Sequence, residues 1–303
     1  MKKLILYLIC IPVLLLCSEL KAQQDPLFAH YMFNKMIVNP AYAGSADHLV
    51  VTATSRHQWI GIDGAPQTQA LSVHAPYGKQ LSWGVSMLRD QAGPLNNFRF
   101  ELNAAYRLKL NKVSDLSFGL MAGLGHAGAN LVGLDGIDPS DVSFQQNLLV
   151  YRPVFGSGVY YRRPEGFVGV SVPDLLKTSY EGLSNQWVHE RHYYLMGGYI
   201  TDFNDDFRLR PTLMFRYVKN APLSAELTAS VIMYDKFWAG LLYRYGDALG
   251  ALISVQINKA LRVGYSYDYS VNMLRGYQGG SHEISVSYDL YRIPASYTSP
   301  RFF

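Results

Sequence analysis

Residues 98–110, FRFELNAAYRLKL, sort their side chains by parity. Phe98, Phe100, Leu102, Ala104, Tyr106, Leu108 and Leu110 share one face; Arg99, Glu101, Asn103, Arg107 and Lys109 share the other. A period of two belongs to a β-strand with one apolar and one polar side. The run exceeds the roughly five residues usual in a soluble sheet and suits a tilted crossing of a bilayer. The sorting recurs near the C-terminus, where Leu261, Val263, Tyr265, Tyr267 and Tyr269 oppose Arg262, Gly264, Ser266 and Asp268. Ile284, Val286, Tyr288 and Leu290 likewise oppose Glu283, Ser285, Ser287 and Asp289. In a soluble sandwich such polar faces meet water. In an outer-membrane barrel the directions invert, with apolar side chains toward lipid and polar ones in the lumen.

The N-terminus and the composition favour the barrel. Met1-Lys2-Lys3 is a positive n-region, residues 4–16 form an apolar h-region, and small residues near Ala22 offer a cleavage site before Gln23. Residues 1–22 therefore read as a secretory signal peptide. A lipoprotein would attach through Cys17, but Leu16 stands where a small residue is usual. Both cysteines, Cys10 and Cys17, lie in this segment, so the expected mature chain has neither disulfides nor thiolate chemistry. No apolar run after it approaches the ~20 residues of a membrane helix. The chain carries 23 Tyr, 14 Phe and 4 Trp, an aromatic load that suits the interfacial girdles of a barrel. Without the signal, 24 basic residues face 22 acidic ones, which is no nucleic-acid footprint.

Turn signals cut the remainder into about fourteen strands, an even number as in bacterial barrels. They are expected at 49–58, 67–75, 81–89, 97–110, 116–125, 153–162, 166–172, 192–200, 207–218, 223–233, 237–245, 248–257, 261–269 and 282–290. Pro211 removes a ladder donor, which makes the pairing of 207–218 the weakest. The connections at 77–80, 111–115, 163–165, 202–206, 234–236 and 258–260 are short. The alternate ones are mostly longer, at 59–66, 90–96, 126–152, 173–191 and 270–281, with 219–222 and 246–247 shorter. Short on one side and long on the other is the pattern of periplasmic turns and extracellular loops, and it places both termini inside. The fold expected is all-β: an antiparallel outer-membrane barrel over 47–291, with a tail over 292–303.

Residues 23–46 do not alternate. Asp25 is placed to cap a helix opening at Pro26, and Leu27, Phe28, Tyr31, Met32, Lys35 and Met36 follow helical spacing to Asn39-Pro40. A short amphipathic helix there either plugs the lumen or lies beneath the barrel, the alternative being a flexible leader. A barrel this wide is not filled by its own wall side chains.

Motifs for catalysis are weak. The histidines of His189-Glu190-Arg191-His192 are three apart at the start of a strand, not four apart on a helix, so they read as loop histidines. Asp135, Asp138 and Asp141 lack the spacing of a calcium loop and read as turn chemistry. Gly119 and Gly123 lie in a strand, where glycine relieves crowding against whatever fills the lumen. No G-x-S-x-G and no phosphate loop occurs, although an esterase assembled from scattered Ser, His and acidic residues stays open. Twelve charges fall on expected inner faces: Arg99, Glu101, Arg107, Arg208, Arg210, Arg216, Glu226, Arg244, Arg262, Asp268, Glu283 and Asp289. Mixed signs within the same strands favour mutual ion pairing over a selective pore lining. No metal, cofactor or catalytic residue is assigned.

The mature N-terminus carries Gln24-Asp25-Pro26, His30-Tyr31-Met32-Phe33-Asn34 and Asn39-Pro40-Ala41-Tyr42-Ala43-Gly44. With Arg56-His57-Gln58-Trp59-Ile60-Gly61, Gly64-Ala65-Pro66-Gln67-Thr68 and the closing Pro300-Arg301-Phe302-Phe303, the chain resembles the PorP/SprF family of Bacteroidetes type IX secretion over its whole mature length. The resemblance implies a non-enzymatic outer-membrane barrel that serves type IX secretion and, in some members, gliding motility. It implies as partners the C-terminal domain of one large secreted adhesin or effector, other secretion components and outer-membrane lipid. It marks Asp25, Pro26, Tyr31, Asn34, Asn39, Pro40, Tyr42 and Gly44 as the opening motif of the plug segment. The long loops at 126–152, 173–191 and 270–281, with Phe144, Leu148, Tyr180, Trp187 and Tyr277, are the expected docking surface or else a lid over the mouth. The other function that suits the fold is a porin or a channel for hydrophobic substrates.

Overall fold

The computed structural model describes residues 28–132, 145–180 and 187–291. Burial along 95–109 decides between the two architectures. Leu102 is 54% exposed, whereas Glu101 beside it is 2% exposed. Charge lies inside and apolar surface outside, the reverse of a soluble sheet and the arrangement of a membrane barrel.

Fourteen antiparallel strands form it: β1 Leu49–His57, β2 Gln67–Tyr77, β3 Leu81–Ala92, β4 Leu95–Lys109, β5 Asp115–Ala129, β6 Leu148–Arg163 and β7 Gly166–Val172, followed by β8 His192–Tyr199, β9 Phe207–Val218, β10 Ser224–Met233, β11 Phe237–Arg244, β12 Ala248–Gln256, β13 Leu261–Ser270 and β14 Ser281–Leu290. Each pairs with its chain neighbours. β1 closes on β14 from Leu49↔Leu290 to His57↔His282, so the barrel has no free edge. Thr178–Tyr180 and Trp187–His189 form a separate two-stranded sheet.

Pro211 acts on one side only. The β8–β9 ladder stops at Gly198↔Thr212 and resumes at Thr201↔Leu209 in the same register, skipping the pair that needs the missing N–H of Pro211. Toward β10 the ladder runs through Pro211↔Ala229 without a break.

Loop length divides by end, with one correction. Residues 90–96 are not a long loop: β3 and β4 stay paired to Ala92↔Leu95 and turn through Gly93-Pro94, Gly93 having φ +56°. The polar composition of that stretch hid the ladder. β5 and β6 also extend further than expected, leaving 130–147 between them.

The N-terminal segment is corrected as well. No continuous helix forms between 28 and 46; three 3-10 turns do, at Tyr31–Phe33, Lys35–Ile37 and Pro40–Tyr42. An amphipathic helix needs one solvated face. Here Phe28–Met32, Lys35, Met36, Ile37 and Asn39–Ala43 are all buried, so every direction must pack, and short tight turns deliver side chains to walls on all sides. The segment lies inside the lumen, not beneath it. Asp25 and Pro26 lie outside the described residues.

Candidate functional site

The lumen is where sequence, packing and charge converge. Ser72 Oγ donates to Asn34 Oδ1 at 2.7 Å, Ser171 Oγ to the Val38 carbonyl at 2.6 Å, and Arg210 lies 2.9 Å from Met32 Sδ. Three apolar clusters fill the space between plug and wall. Met36, Tyr42 and Ala43 pack with Tyr160, Phe167 and Met196; Phe28, Tyr31 and Ile37 pack with Leu88, Tyr194 and Met214. Phe33 packs on Ile200, Ile232 and Trp238.

At its first described residues the plug is gripped by Glu283 of β14. Oε2 accepts from the Ala29 N–H at 2.7 Å and from Arg56 at 3.1 Å; Oε1 accepts from the His30 N–H at 2.7 Å and approaches His30 Nδ1 at 2.9 Å. A carboxylate has about four acceptor positions, and all are used, which is how a charge is tolerated at full burial. Arg56 also donates to Asp268 at 2.6 Å, and Arg244 joins Glu226 at 2.6 Å and approaches Asp268 at 3.8 Å.

The plug's second half rests on glycines. A Cβ on Gly119 of β5 would overlap the backbone of Ala41, and one on Gly158 of β6 would overlap the Asn39 side chain. At Gly169 of β7 a Cβ would lie 2.9 Å from Asn39 Nδ2. Asn39 uses the space to donate to the Val159 carbonyl at 3.1 Å and the Val170 carbonyl at 3.4 Å, while its Oδ1 caps Ala41 N–H at 3.0 Å. Gly123 is different: its Cβ would overlap the Phe100 carbonyl of β4, so this glycine serves strand packing and not the plug. Near the mouth with the short turns Arg107 and Arg162 donate to the carbonyls of Gly44 and Ser45, and Arg107 also pairs with Asp47 at 3.0 Å.

Of the opening-motif residues, Tyr31, Asn34, Asn39, Pro40, Tyr42 and Gly44 are all buried in this assembly. Of the twelve expected inner charges, ten are buried, and Arg208 and Arg262 are half-buried. Arg99 meets Glu101 at 3.3 Å, Arg208 meets Asp235 at 2.9 Å, and Arg262 stacks on Trp238 at 4.5 Å. Mutual pairing, not a bare charged bore, describes this lumen. Arg56 and Arg152 are buried inner charges absent from the twelve expected ones. The parity of Val50, Thr52, Thr54 and Arg56 carried the signal for the first. Arg152, which pairs with Asp174, falls within the loop expected at 126–152 but lies in β6.

At the outer end two loops are stitched together. The Ile60 N–H donates to the Gly280 carbonyl at 2.9 Å, and the Gly279 N–H to the Ile60 carbonyl at 2.6 Å. This joins 58–66 to 271–280. Beside the seam Tyr277 is 79% exposed and Met273 95%. Leu148 is not in a loop; it is the first residue of β6, paired with Ala129. Tyr180 and Trp187 pair across the small hairpin, while Phe144, Asp135, Asp138 and Asp141 lie outside the described residues. His192 is buried at the start of β8, with Nδ1 3.0 Å from the Glu190 carbonyl.

Among known proteins, the sequence profile described as "Type IX secretion system membrane protein PorP/SprF" matches residues 20–288. No curated protein matches the sequence. Among solved structures the chain is similar to the CymD monoaromatic hydrocarbon channel, with TM-score 0.54 and 13% identity over 90% of this chain and 95% of that one. It is also similar to a Pseudomonas aeruginosa FadL homologue, with TM-score 0.50 and 11% identity over 88% and 95%. At these identities the likeness is one of fold.

Proposed function

The chain belongs to the PorP/SprF family of type IX secretion system membrane proteins, and on that premise we propose that this outer-membrane barrel serves the secretion of one large protein. It holds that protein at the cell surface by binding its C-terminal domain, and it does so without catalysis. The observation that carries this reading is the filled lumen. The chain's own residues 28–46 occupy it, gripped at Glu283 and seated on Gly119, Gly158 and Gly169, while the outer end offers a stitched platform with Met273 and Tyr277 outward. A barrel plugged by its own chain is built to hold something outside it. Loops on a rigid scaffold are the usual place for such binding, and exposed aromatics the usual anchors.

The channel reading has the opposite requirement, a continuous aqueous or apolar path, and the packed apolar clusters around the plug speak against it. To test the proposal, the gene is deleted, surface display of a large secreted protein encoded nearby is assayed, and the two proteins are co-purified. Loss of display together with a recovered complex supports it. Unchanged display with no complex overturns it and favours the channel.

A further inference from the structure

The lipid-facing wall is not uniform. On β14, β1, β2 and β3 the cross-strand register stacks outward residues in rows. One row reads Tyr288, Val51, Val73, Val85, and the next toward the outer end reads Val286, Ala53, Leu71, Met87. Then come Ile284, Ser55, Gln69, Arg89, and finally His282, His57, Gln67, Gln91. The face thus passes from wholly apolar to wholly polar across four rows toward the outer end, as the edge of a lipid-facing apolar band does. At that boundary the small side chains of Ala53 and Ser55 sit between bulky ones on either flank, leaving a depression of about 410 Å³. Leu71, Met87 and Val286 line it from the apolar row, and Ile284, Gln69 and Arg89 from the row beyond.

Arg89 is unusual in this position. Apart from Arg163, at the periplasmic end of β6, it is the only lysine or arginine at an outward-facing strand position among the described residues. It is exposed and donates to Gln91 at 3.2 Å. A guanidinium at headgroup level meets phosphate with paired donors, and its stem can lie along apolar surface. Amides and imidazoles beside it suit sugar hydroxyls.

We propose that this depression is a binding site for a phosphorylated glycolipid of the outer leaflet. One acyl chain lies over Ala53 and Ser55, between Ile284 and Val286 on one flank and Leu71 and Met87 on the other. The headgroup phosphate meets Arg89, and the glucosamine-type sugars face Gln67, Gln69, Gln91 and His57. All of these side chains point away from the lumen, so the site is separate from the plug and from the docking platform.

The test is native mass spectrometry of the detergent-solubilised full barrel, titrated with diphosphoryl lipid A, with its dephosphorylated form and with phosphatidylethanolamine. Arg89→Gln and Ala53→Phe are compared with the wild type, each first shown to keep heat-modifiable migration. The wild type is expected to hold diphosphoryl lipid A about five- to tenfold more tightly than either control lipid, and both variants to lose that preference. Equal binding of the three lipids by the wild type, or a preference unchanged in both variants, overturns the proposal.

Discussion

Glu283 Oε1 binds His30 twice, accepting its main-chain N–H at 2.7 Å and facing its imidazole Nδ1 at 2.9 Å. One wall carboxylate thereby fastens the plug's backbone and side chain together, and Arg56 holds that carboxylate in turn at 3.1 Å. Gly264 completes the arrangement, because a Cβ there would come within 3.0 Å of His30 Nε2. Removing Glu283 takes away one of the two carboxylates that hold Arg56, leaving Asp268, and strands two main-chain donors, Ala29 N–H and His30 N–H, without their acceptor. Each buried main-chain donor left unsatisfied costs about 1–3 kcal/mol. Glu283→Ala is therefore expected to loosen the plug while the barrel persists. Limited proteolysis in detergent should cut residues 28–46 much faster than in the wild type, with heat-modifiable migration retained. An unchanged cleavage rate would remove Glu283 from this role.

Two glycines four residues apart in β5 should fail differently. Gly119→Val strikes the plug backbone at Ala41 and is expected to raise protease access to the plug without lowering the barrel's heat-modification temperature. Gly123→Val strikes the Phe100 carbonyl of the neighbouring strand, and is expected to lower that temperature instead. The two readouts together separate plug seating from wall packing.

Parity made the barrel legible. All fourteen strands stand within a few residues of their expected places, because inside-out alternation is set by lipid on one side and a filled lumen on the other. What escaped was non-local. Spacing from Phe28 to Met36 is helical in the sequence, yet contacts from Ser72, Ser171 and Glu283, remote in the chain, draw the segment into 3-10 turns. The purpose of Gly119 was legible and that of Gly123 was not, since only the register shows which backbone each one meets. The change from apolar to polar rows around Arg89 likewise depends on the register between strands, which no single strand carries.

The proposed docking platform implies a local phenotype. Met273→Ala with Tyr277→Ala leaves the backbone seam between Ile60 and Gly280 in place while removing the two most exposed side chains beside it. Binding of the secreted partner's C-terminal domain is expected to weaken by about 2 kcal/mol or more, roughly thirtyfold in Kd, with barrel stability unchanged. Surface plasmon resonance against the solubilised barrel measures it. Undiminished affinity would move the binding surface to another loop.

On the proposed function the chain blocks its own lumen and acts by holding a partner, not by passing a solute. Planar-bilayer conductance separates the two. The intact protein should carry little current, and deletion of residues 25–44 should open a stable conductance through the same barrel. Large steady currents from the intact protein would contradict the account.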